Sequence, residues 1–204
     1  MERVKQFVSS ILAGMMIGVG GIVYLSCDNS YIGAFLFAIG LLTILVFQLN
    51  LYTGKVGYIL NNKPNYLIEV LITGIGNFVG TYLIAGAVIN TRIYPRLEKV
   101  NGIADMKLND SAVSVFILAI LCGLLMFIAV EAYRIHKDII GLVAVLFCVA
   151  VFILSGFEHS IANMFYFSLA QRLDSHATVY ILIMMLGNLV GGNLIPLYRN
   201  TFIK

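Results

Sequence analysis

Leu154-Ser155-Gly156-Phe157-Glu158-His159-Ser160-Ile161-Ala162-Asn163 is the stretch whose reading decides the fold. Apolar sequence lies on both sides, from Ile139 to Ile153 before it and on to Leu169 after it. An ionisable pair inside such a run is costly at membrane depth, so Glu158-His159 marks an ion or proton path. Ser155-Gly156 breaks the helix just before the pair. A broken helix with a titratable group at the break is a way to build a solute site inside a bilayer.

The rest of the chain agrees with a membrane location. Of 204 residues, 60% are hydrophobic and only 11% charged, with a mean hydropathy of +0.95. Six spans of roughly 20 residues fit this length, leaving a single transmembrane domain over residues 1–204 and no soluble domain. The apolar run after Met1-Glu2-Arg3-Val4-Lys5-Gln6 is too long for the core of a signal peptide and reads as a retained span. A net charge of +3 carries no nucleic-acid footprint. Cys27, Cys122 and Cys148 are far apart, in or at the edge of apolar runs, and read as small core residues. His136 and His176 fall in loops and only His159 in the membrane, so no metal, haem or other cofactor is expected. No Cys or Ser stands in a nucleophile motif, and an enzyme is not expected. With no Trp in the chain, the interfacial belt rests on Tyr.

The spans fall at about Phe7–Cys27, Tyr31–Asn62, Tyr66–Asn90, Ser111–Tyr133, Ile139–Leu169 and Thr178–Tyr198. The second and fifth are too long for one straight crossing. The second is polar in its middle, Gln48 to Lys55, and the fifth at Ser155 to Ser160, so each reads as two half-helices joined by a buried loop. Spans three and six share Gly76-Asn77-Phe78-Val79-Gly80 and Gly187-Asn188-Leu189-Val190-Gly191. Spans one and four share Ile11-Leu12-Ala13 and Ile117-Leu118-Ala119. The expected fold is an all-α membrane protein of six transmembrane helices, an inverted 3+3 repeat over about 7–90 and 111–198 with broken second and fifth spans. Basic residues favour the side that holds both termini, so the N- and C-termini are expected in the cytoplasm.

Within this frame His159 faces the pore, and Glu158 accepts hydrogen bonds from backbone N–H groups freed by the break. Thr53 lies in the opposing break, where its hydroxyl can donate to or accept from His159. Asn77 and Asn188 read as helix-packing scaffold among close-approach glycines, with one of them free to brace a loop. Lys107 lies in the polar segment Thr91–Asp110, read as a loop.

At these residues the chain resembles the formate–nitrite transporter family, pentameric channels with an aquaporin-like protomer fold. Ser155 to Phe165 is close to a family signature, and Leu51-Tyr52-Thr53 is similar to the family's span-two loop. The resemblance implies that His159 is the central pore histidine, Thr53 its loop partner and Lys107 a vestibule lysine. It also implies a cytoplasmic constriction at Leu41, Leu51 and Tyr52 and a periplasmic one at Phe37 and Phe152. Glu158, Asn163, Asn77, Asn188 and Gly123 are the expected structural support. Gly123 stands where the family often has an Asn that approaches the histidine, so His159 is expected to lose a polar partner or the pore to widen. Tyr52 replaces the usual Phe and adds a hydroxyl.

The implied function is passage of a small monovalent anion or its weak acid, with formate, nitrite and hydrosulfide all fitting, linked to protons through His159. The expected setting is a homopentamer in the lipid bilayer of the inner or plasma membrane, multi-pass, with no nucleic-acid partner. The alternative is an aquaporin-like facilitator of neutral solutes, although the paired Asn-Pro-Ala loops of aquaporins are missing.

Overall fold

The computed structural model describes residues 1–203, and among them every regular element is helical. Four helices are long and apolar enough to cross a membrane: α1 (Glu2–Ser26), α4 (Tyr66–Ile89), α6 (Ala112–Ile135) and α9 (Ser175–Phe202). Two shorter apolar helices, α2 (Ser30–Val46) and α7 (Ile139–Leu154), each run into a break. Beyond the first break come a single turn, α3 (Tyr52–Lys55), and a 3₁₀ segment, Val56–Asn61. Beyond the second comes α8 (Ser160–Leu169).

Local chemistry sets the ends. The side chains of Asn29, Ser111, Asp138 and Asp174 accept from free N–H groups at the starts of α2, α6, α7 and α9. The two breaks follow residues or neighbours in the left-handed region, Gln48 at φ 52° and Gly156 at φ 69°. Glycine takes that conformation without the steric cost of a Cβ.

Two expectations need correction. The first helix starts at Glu2 and the last runs to Phe202, several residues beyond the apolar runs. Polar residues such as Arg3, Lys5 and Arg199 continue a helix readily, so hydropathy underestimates its length. The segment 91–110 is not a loop. It holds a 3₁₀ turn, Tyr94–Leu97, and helix α5 (Lys99–Leu108). Leu97, Val100 and Ala104 are buried in it, a stripe at helical spacing that the polar composition around it conceals. At its start Lys99 Nζ donates to the carbonyls of Tyr24 and Cys27, 2.8 Å each, and closes the free C-terminal end of α1. Partial burial lowers the pKa of this lysine.

α1 packs along α4, and α6 along α9. α2 lies on α1 and α7, and α7 on α6 and α2. After its break each strand of chain crosses to the opposite half: the 3₁₀ segment packs on α9, and α8 on α4 and α1. Phe165, Phe167, Phe37, Leu25 and Met184 fill the interior between these layers. Outward stripes are apolar, as on α4 (Leu71, Ile75, Leu83) and α9 (Val179, Leu182, Leu186, Val190, Leu194). Polar groups, including Ser10, Thr73, Asn77, Thr81 and Asn188, are inside, the arrangement for a hydrocarbon surround.

Equivalent glycines fix the register between the two halves. A Cβ on Gly14 would fall on the Asn77 carbonyl, and one on Gly123 on the Asn188 carbonyl. A Cβ on Gly80 would fall on the Ile11 carbonyl, and one on Gly191 on the Ile120 carbonyl. Ile11 and Ile120, rather than Ile11 and Ile117, make these matching contacts. In a packed pair of helices, carbonyl approach distinguishes registers that similar apolar letters do not.

Candidate functional site

Both breaks are held by an asparagine, and in the same way. Asn77 Oδ1 accepts from Tyr52 N at 2.8 Å, while its Nδ2 donates to the carbonyls of Ser10 and Asn50. Asn188 Oδ1 accepts from Ser160 N at 2.9 Å, while its Nδ2 donates to the carbonyls of Ala119 and Glu158. Each side chain satisfies the first N–H of the short helix after the break, a carbonyl of the break and a carbonyl of the neighbouring long helix. The break groups, Tyr52 N, Asn50 O, Ser160 N and Glu158 O, have no partner within a continuous helix, and leaving them bare in an apolar interior is costly. The expectation that Glu158 accepts from freed N–H groups fails here, because the two asparagines carry out that task.

Leu51 and His159 occupy matching cap positions, immediately before α3 and α8. His159 Nδ1 accepts from Ala162 N at 3.0 Å, which caps α8 with an imidazole. Its Nε2 lies 3.0 Å from Thr53 Oγ1, across 106 residues of chain. An Nδ1 that accepts carries no proton, so the neutral ring holds its hydrogen on Nε2 and donates it to Thr53. Thr53 and His159 are 1% and 2% exposed. Phe152 stacks on the imidazole with centroids 5.4 Å apart and planes 19° apart. Phe37 meets Phe152 edge-on at 5.9 Å.

Lys107 and Glu158 meet. Lys107 Nζ lies 2.6 Å from Glu158 Oε2, with side chains 13% and 3% exposed. Asn163 Nδ2 donates to the same oxygen at 2.6 Å. α5 supplies the lysine, the break the glutamate and α8 the asparagine. All three line a cavity of about 260 Å³ whose floor is His159 and Phe152 and whose wall includes Asp110, Tyr24, Phe157 and Tyr166. That is room for several waters or a small anion with some of its hydration. A smaller cavity of about 90 Å³ lies towards the face that holds both termini, lined by Leu41, Ile44, Leu45, Leu49, Leu51, Gly54, Lys55 and Val130. Leu41 and Leu51 border the small cavity, Phe152 and His159 the larger one.

Tyr52 and Gly123 sit apart from these cavities. The Tyr52 hydroxyl donates to the Met185 carbonyl at 3.0 Å, and its ring lies against Gly74. The extra hydroxyl thus ties α3 to α9. Gly123 is the close-approach point between α6 and the Asn188 backbone, and a side chain there would collide with the brace. Its missing Cβ is a packing requirement, and His159 has Thr53 as its side-chain partner.

Sequence reasoning missed Tyr166 and Asp110 as cavity residues. It also missed Glu131, which accepts from Tyr58, Arg134 and Arg199 and ties the 3₁₀ segment to α6 and α9. Only the spacing of Tyr166 from His159 on α8 could have signalled it. Among the described residues no group of three His, Cys, Asp or Glu is placed to hold a metal ion. The cysteines are free, and only Cys122 is buried.

The family model described as formate/nitrite transporter matches residues 1–199. The chain is 29% identical to the formate-nitrite transporter of Plasmodium falciparum, over 93% of this chain and 75% of that protein. It is 30% identical to the formate-nitrite transporter of Plasmodium ovale, over 96% and 77%. It is 28% identical to the nitrite transporter NirC of Escherichia coli, over 86% and 72%. Among solved structures, an FNT family ion channel superposes with a TM-score of 0.84 over 97% of this chain and 90% of that one, at 24% identity. A pentameric formate channel with formate bound superposes with a TM-score of 0.81 over 100% and 98%, at 21% identity.

Proposed function

Because the chain belongs to the formate/nitrite transporter family, we propose that it passes small monovalent anions as their neutral weak acids, with formate, nitrite or hydrosulfide as substrate. The observation that carries this reading is the contact of Thr53 with His159, at 3.0 Å, which joins the two breaks at the boundary between cavity and apolar wall.

An anion enters the 260 Å³ cavity and is held near Lys107. The lysine is paired with Glu158, so it offers its remaining N–H groups in place of a full unbalanced charge. Beyond the cavity stand Phe152, Phe37, Leu41 and Leu51. Crossing them as an ion costs several kcal/mol in lost hydration. A weak acid avoids that by taking a proton first. The proton comes from cavity water, and the hydroxide left behind returns to the outer solution: His159 holds one hydrogen on Nε2, and losing it would leave an imidazolate. The Thr53–His159 pair offers the passing acid a hydrogen bond where the cavity meets the apolar wall, and the acid gives up its proton on the far side.

The proposed setting is an aquaporin-like inverted repeat of six spans, α2 with α3 and its 3₁₀ segment forming one broken span and α7 with α8 the other. Both termini are in the cytoplasm, in the inner or plasma membrane, and the assembly is a homopentamer with no enzymatic activity. The matching roles of Asn77 and Asn188 support the repeat. No observation favours the neutral-solute facilitator.

The test is uptake of formate, nitrite and hydrosulfide into proteoliposomes at several outside pH values. Uptake rises as outside pH falls, because the protonated fraction rises. Thr53→Val and His159→Ala each lower it at least about ten-fold, roughly one hydrogen bond to the solute in its least solvated position, with the pH profile retained. Wild-type flux in both variants removes the pair from the path. Loss of the pH profile in His159→Ala makes the histidine the proton donor. Native mass spectrometry of the detergent-solubilised protein gives five copies.

A further inference from the structure

On the side of the termini, the counterpart of the outer cavity is divided in two. One part is the 90 Å³ cavity bordered by Leu49, Leu51 and Gly54. The other is an open polar basin of about 540 Å³ bordered by Arg3, Lys5, Ser9, Asn50 and Glu69. Among the described residues Lys55 alone borders both. Its place follows from the matching caps, Leu51 and His159. Counted from them, Asn50 matches Glu158, Gly54 matches Ala162 and Lys55 matches Asn163. Glu158, Ala162 and Asn163 all border the outer cavity. The repeat therefore puts Lys55 where the other half keeps the asparagine of its ion pair. It puts neutral Asn50 where the other half keeps a buried carboxylate.

We infer that Lys55 is an anion-binding residue of the mouth on the side of the termini, its ammonium group holding the small monovalent anion that enters or leaves there. This rests on the transport reading and adds a second binding position to it. The ammonium is within reach of solution. Nζ lies 3.5 Å from Glu69 Oε2, with side chains 20% and 50% exposed, and both residues border the basin. Nζ also stands over the Tyr66 ring, 5.3 Å from its centroid, and the Tyr66 hydroxyl donates to the Lys55 carbonyl, so one tyrosine steadies both ends of the residue. The pairing differs from that of Lys107, whose partner is 2.6 Å away and 3% exposed. A long, solvated ion pair is weak, and an arriving anion displaces it at little cost. The charge balance points the same way. Around the basin Arg3, Lys5 and Lys55 face Glu2 and Glu69, an excess of one positive charge. Around the outer cavity Lys107 faces Asp110 and Glu158, an excess of one negative charge. A concave site with a positive excess raises the local concentration of anions. The side of the termini is therefore the tighter-binding side of the path.

The experiment is formate flux in proteoliposomes of one orientation, with sidedness read by protease cleavage of a C-terminal tag and formate varied on one side at a time. For the wild type the half-saturating concentration is lower on the side of the termini. Lys55→Met raises it there about ten-fold, the effect of one hydrogen bond to a charged group, and leaves the opposite side within about two-fold. Lys55→Arg keeps most of the wild-type value. Glu69→Gln, which frees the ammonium, lowers the value on the side of the termini. Unchanged values on both sides in Lys55→Met overturn the inference. So does an equal shift on both sides, which marks a role in packing. Wild-type vesicles that pass no formate in either direction overturn the transport reading itself, and this inference with it.

Discussion

Glu158 Oε2 takes two short hydrogen bonds, from Lys107 and Asn163, at 2.6 Å each. Removing one partner of a buried ion pair leaves the other charge uncompensated, which costs about 3–5 kcal/mol. Lys107→Met and Glu158→Gln should each lower thermal stability in detergent by that order. The double variant should lose clearly less than the sum of the two, because it leaves no lone charge. Fluorescence-monitored melting of the three proteins checks this. At the other end of the site, Thr53→Ser keeps the oxygen that receives the His159 hydrogen and should retain most of the flux that Thr53→Val loses. The residues of this site were unequally legible. Glu158-His159 stands out as an ionisable pair in apolar sequence, and Thr53 as a hydroxyl in the matching break. The contact of Lys107 with Glu158 spans 51 positions and depends on α5. Polar composition disguises that helix, so nothing local announces the pair. Tyr166 reads as one more aromatic in an apolar run until its neighbours are known.

The breaks are stable elements because each has its own side-chain scaffold. Asn77 and Asn188 make three hydrogen bonds apiece to equivalent backbone groups. Asn77→Leu and Asn188→Leu should each destabilise by about 2–4 kcal/mol, since a backbone N–H and a carbonyl of the break are left bare. The two losses should be similar in size, as chemical denaturation or melting would read. Gly123→Ala puts a methyl group against the Asn188 carbonyl and should destabilise, whereas Gly102→Ala, with open space around it, should be neutral or slightly stabilising. The breaks themselves were readable from overlong spans with polar middles. The asparagine motif was readable as a repeat but not as a brace, because a Gly-Asn-x-Val-Gly pattern serves plain helix packing equally well. The role of Gly123 was not readable at all: an absent side chain does not say which neighbour it makes room for.

Across the whole molecule, each half depends on the other. The 3₁₀ segment lies on α9, α8 lies on α4 and α1, and Asn193 Nδ2 closes on the Val56 carbonyl across 137 residues. This layout has a consequence for how the protein is made. When α1 to α4 have left the ribosome, the chain around Thr53 and Val56 has no α9 to rest on, and its backbone groups lack their final partners. Residues 50–61 reach their final packing only once α9 is in place. Loss of α9 would therefore unmake the backbone around Thr53 and Val56 as well as the helix itself.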